Sequence, residues 1–148
     1  MNQVSLFRFV GVVAIALFML IPGRAAAVDP PKNAPARAVE LAREIASSRG
    51  YRFETDPAFS GLFIVTATVK GEPVRLVGRV RDLNGRRLLS SCRRSPGTVF
   101  EEAQRIESDF YSALWPKLLG EMEVEPARSF EDNIAVFEGA DAHCRPAS

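Results

Sequence analysis

Arg75, Arg79 and Arg81 fall at even spacings within the alternating stretch Val74 to Asp82. On a strand that spacing places all three on one face. The planar fork of arginine suits carboxylates and phosphates, so the row is a candidate site for an anion. The plainer reading is a solvated face of a half-exposed sheet, where arginine also discourages edge-to-edge pairing. Glu101, Glu102, Glu107 and Asp109 could supply an acid/base pair for glycosidase-type hydrolysis, which also needs a cleft. Acids in the first turn of a helix are expected from the helix dipole alone. His143 is the only histidine. A metal site needs more ligands and a triad needs a positioned nucleophile, so His143 reads as a solvated side chain. No zinc spacing and no Gly-rich phosphate loop is present, so no metal and no cofactor is expected.

Cys92 and Cys144 are the only cysteines. In an oxidising compartment an even pair reads as one disulfide. A redox pair usually has Cys-x-x-Cys spacing, which the chain lacks. The expected link pins the C-terminal tail to the middle of the domain.

The elements that position these residues follow from periodicity. Ala36 to Arg49 reads as a helix with Val39, Ala42, Ile45 and Ala46 inward, stopped by Gly50. Strands follow at Tyr51 to Glu54, Leu62 to Lys70 and Val74 to Asp82. Asn84-Gly85 signals a two-residue hairpin. It sets Leu83 opposite Arg86, Arg81 opposite Leu88, and Val77 opposite Cys92, so Cys92 lies on the arginine face. A second helix starts near Ser95 or Thr98, with Thr98 and Glu101 as a capping box, and Pro116 ends or bends it. Ser129 to Phe137 is either a short helix capped by Ser129 or a strand. Tyr51, Phe53, Phe59, Phe63, Phe100, Phe110, Tyr111 and Trp115 supply the core.

The first 27 residues read as a secretory signal peptide. Arg8 precedes the apolar run Phe9 to Ile21, Pro22-Gly23 breaks it, and Ala25-Ala26-Ala27 offers a cleavage site. A helix of this run is about 20 Å long, short of the roughly 30 Å hydrocarbon core, so no permanent membrane anchor is expected after cleavage. Residues 28–35 hold three prolines and read as a flexible leader, and 36–148 as a single small domain. The 121 residues after cleavage hold 17 basic and 18 acidic groups, which gives no support for nucleic-acid binding. Charge is unevenly spread: residues 70–94 carry a net of +6 and residues 95–148 a net of −7. The two parts either neutralise each other or form faces of opposite sign.

Arg49-Gly50-Tyr51-Arg52-Phe53, after a helix, and Asp82-Leu83-Asn84-Gly85-Arg86-Arg87-Leu88, at the last turn of a meander, carry a family likeness. The stretch 40–91 resembles the small PepSY-type domains of bacterial envelopes. That resemblance implies a role in inhibiting or modulating other envelope proteins. The second helix and the tied tail depart from the bare PepSY pattern.

The sequence therefore predicts an α+β fold, a four-stranded antiparallel meander with one or two helices packed on one face. The expected function is that of an exported, non-catalytic binding or modulatory module, periplasmic or secreted. Its partner is an envelope protein or an anionic ligand, met through Arg75, Arg79 and Arg81. The alternatives are a small hydrolase of envelope polymers using Glu101, Glu102 or Asp109, and a structural accessory subunit of an envelope complex.

Overall fold

The computed structural model describes residues 33–145; the signal-peptide reading and residues 28–32 of the leader lie outside them. Helix α1 (Ala34–Ser48) begins two residues earlier than periodicity suggests. Asn33 caps it by accepting the Ala36 N–H, and a proline in the first turn costs no helical bond. Ala34 and Pro35 thus belong to the domain rather than to a leader.

Strands β1 (Arg52–Thr55), β2 (Leu62–Val69), β3 (Glu72–Leu83) and β4 (Arg86–Arg94) form the antiparallel meander. Asn84 and Gly85 both take positive φ, as the two-residue turn requires, and the register agrees: Leu83 with Arg86, Val77 with Cys92. A fifth strand, β5 (Glu125–Pro126), pairs parallel with Leu88 and Leu89 and completes the order β1-β2-β3-β4-β5. The four-strand expectation is corrected here: two residues carry no alternation that a sequence reading could detect.

Helix α2 (Phe100–Glu121) runs through Pro116 without ending. Pro116 and Ser112 are both exposed, so the carbonyl that loses its bond can take water instead. The Thr98–Glu101 capping box does not form. Residues Gly97–Val99 make a tight turn, and Val99 is the capping residue, with no side-chain bond. Helix α3 (Phe130–Phe137) resolves the helix-or-strand alternative, with Ser129 accepting the Asp132 N–H.

Helices α1 and α2 cover one sheet face, packing Leu41, Ile45, Phe110 and Leu114 against Phe63, Val65, Leu76 and Val80. Phe63 lies across Gly78 on the neighbouring strand, where a Cβ would stand 2.2 Å from the ring. Burying Phe63 in that slot contributes about 2–3 kcal/mol. Helix α3 and the tail cover part of the opposite face, where Leu62, Ile64, Val77, Phe137 and Ala140 form a second, smaller core. Helices therefore lie on both faces, which corrects the expectation of one. Phe100, counted with the core, is instead 53% exposed.

Candidate functional site

Arg75, Arg79 and Arg81 do share the second face of β3, alongside Val77. Their fates differ. Arg79 is only 6% exposed. Its Nε donates to Ser60 O at 3.0 Å, and its Nη1 to Val136 O at 3.1 Å and Glu138 O at 3.2 Å. The guanidinium also sits 5.6 Å from the centre of the Phe59 ring. Burial lowers its pKa, with Arg81 pushing the same way, and arginine still stays charged. Arg81 Nη1 donates to Ala135 O at 2.6 Å and approaches the Glu138 carboxylate at 3.4 Å. The last turn of α3 holds no basic residue of its own. Arg79 and Arg81 supply the positive charge and the donors that its final carbonyls lack. Arg79 is thus occupied from within the chain, and Arg81 is held there through its Nη1 while its side chain stays partly exposed.

Arg75 lies beyond the reach of α3. Its Nη2 stands 3.2 Å from His143 Nδ1, and His143 Nε2 stands 3.0 Å from Asp56 Oδ2. Arginine can only donate, so Nδ1 accepts and Nε2 carries the proton toward Asp56. The Asp56 carboxyl is held below its usual pKa, first by the Ala58 backbone N–H and then by His143. His143 is thus built into a bridge from the β1–β2 loop to the tail, next to the Cys92–Cys144 disulfide with its Cα separation of 5.9 Å.

The open basic row runs across the strands rather than along one. Arg52 pairs with Thr66, Thr66 with Arg75, and Arg75 with Arg94. Directly paired residues share a face, so three guanidinium groups line one transverse row. Arg94 makes no ion pair among the described residues, and Arg52 meets the exposed Glu54 at 3.2 Å. The row forms the floor of an open groove of about 860 Å³, rimmed by Pro73, Ser95, Pro96 and Cys144. Arg94 was within reach of sequence reasoning: Val77 opposite Cys92 already sets Arg75 opposite Arg94. Arg52 was not, because the loop from Asp56 to Gly61 leaves the β1–β2 register open.

Of the carboxylates considered for hydrolysis, Glu102, Glu107 and Asp109 are engaged on separate partners, while Glu101 is exposed and makes no ion pair among the described residues. Lys70 lies 2.7 Å from Glu102, Arg93 lies 3.1 Å from Glu107, and Arg49 lies 2.6 Å from Asp109. The Lys70 hydrogen bond lowers the pKa of Glu102, and the Arg49 bond lowers that of Asp109. A general acid needs the opposite shift. Among the described residues no group of three or more His, Cys, Asp or Glu could hold a metal.

The uneven charge cancels in part. Arg81 meets Glu138, Arg86 meets Glu125 and Asp132, Arg93 meets Glu107, and Lys70 meets Glu102. No family model, curated protein or solved structure matches the chain. No described helix is long and apolar enough to cross a membrane.

Proposed function

We propose that this protein is an exported, non-catalytic module of the cell envelope, periplasmic or secreted, that binds an anionic partner through Arg52, Arg75 and Arg94. The observation that carries this reading is the transverse arginine row on the part of the sheet face that α3 leaves open. Three guanidinium groups face one groove against a single exposed carboxylate, Glu54. Such an array suits carboxylates or phosphates, which arginine can hold with two parallel bonds. The disulfide supports an oxidising location. The likeness of residues 40–91 to PepSY-type domains supports a modulatory role. Relative to the sequence reading, Arg75 stays in the binding set, Arg79 is engaged on α3, and Arg81 is held to α3 through its Nη1.

Crosslinking in intact cells tests this, comparing the wild type with an R52E/R75E/R94E variant. A discrete partner should copurify with the wild type, weaken with added salt, and vanish in the variant. A partner retained by the variant, or no partner at all, would overturn the reading.

A further inference from the structure

The outer edge of β4 changes character halfway along. A two-residue turn makes Leu83 and Arg86 the first bonded pair, so the even residues of β4 bond to β3 and the odd ones turn outward. Leu89 obeys this, its carbonyl accepting the Ala127 N–H at 2.9 Å. Strand β5 then stops. Ser91 and Arg93 present their outward N–H and C=O groups with no backbone partner among the described residues.

A groove flanks this edge on each side of the sheet. The α2 side holds about 500 Å³ beside Tyr111 and Trp115. The Tyr111 hydroxyl there is closed off from solvent beside the Ser91 side chain, and among the described residues it makes no hydrogen bond of good geometry. The α3 side holds about 740 Å³, lined by Phe130, Ile134 and Phe137. Phe130 is 76% exposed and Ile134 55%, one helical turn apart. The edge ends at Arg94, on the transverse arginine row.

We infer that the Ser91–Arg94 edge binds an extended peptide segment of a partner protein, added as a further strand, with an acidic residue reaching Arg94 and Arg75. Alternate side chains of an added strand point to opposite faces, one set toward Tyr111 and the other toward Ile134. The chain already seats two residues, Glu125 and Pro126, on the same edge. A second copy fits less well, because its own free edge brings Arg93 and Arg94 against the same two. The acidic end rests on the proposed anion-binding role; the strand edge does not.

The test selects binders of residues 28–148 from a displayed library of random dodecapeptides, then follows amide exchange with the selected peptides made synthetically. Selected peptides should alternate apolar and polar residues and carry an acidic residue toward one end. Bound peptide should slow exchange at Ser91 and Arg93 by about tenfold or more. Ser91→Pro removes one outward donor without touching the β3 ladder and should cut affinity about tenfold. Ile134→Asp, on an exposed helix face, gives a second variant should the proline disturb folding. The R52E/R75E/R94E variant should keep the edge protection and lose the acidic preference. If it keeps that preference, the acidic-end assignment and the anion-binding reading fail while the edge stands. An empty selection, peptides that leave Ser91 and Arg93 unprotected, or protection that arises from self-association without peptide would overturn the edge proposal.

Discussion

Arg79 shows how a residue suited to a ligand can be consumed by the fold. Its fork satisfies Ser60 O, Val136 O and Glu138 O in a nearly closed site. Arg79→Met keeps the bulk and strands those three acceptors. It should destabilise the domain by about 2–3 kcal/mol in urea unfolding. An unchanged midpoint would show that α3 does not depend on this cap. At the same scale, Asp56, Glu102 and Asp109 each have a pKa below the ordinary carboxylate value. The ionised forms favour the fold, so their contribution is complete above the unfolded values, near about pH 4. It is lost as pH falls through the lower folded values. Stability should therefore decline on acidification below about pH 4, and a D56N/E102Q/D109N variant should show a flatter profile. Identical slopes would refute that assignment. The side chains of β3 were legible because alternation fixes which face each residue takes. What sits on that face was not legible, since α3 reaches Arg79 from 57 residues away in sequence.

At the scale of elements, α3 and the tail act as a plug on the second sheet face. The plug rests on Phe137 and Ala140, on the arginine caps, and on the disulfide from Cys92 to Cys144. The link closes a long loop, with a sequence separation of 52. Replacing both cysteines by serine should cost about 4 kcal/mol on the chain-entropy model. It should also raise amide exchange in α3 before the meander responds. Exchange that rises uniformly would show that the plug and the sheet open as one unit. The meander and its β3–β4 register could be read from Asn84-Gly85 and from the alternation of Val74 to Asp82, while the β1–β2 register could not. The fifth strand, the run of α2 through Pro116 and the second helical layer could not. Each depends on surroundings outside its own segment: Leu88 and Leu89 for β5, the exposure of Ser112 and Pro116 for α2, and Arg79 with Arg81 for α3.

Across the whole molecule, basic residues of the middle and acidic residues of the C-terminal part meet in ion pairs, and the transverse row stands out against that balance. Nuclear magnetic resonance of the arginine Nε–H groups, during titration of residues 28–148 with hexa-aspartate, measures anion binding by the transverse row itself. The signals of Arg52, Arg75 and Arg94 should move together and saturate, weakening as salt is raised. The Arg79 signal should stay fixed, because its Nε is held by Ser60 O. Movement confined to Arg79 and Arg81, or no saturable movement in the transverse row, would contradict the account.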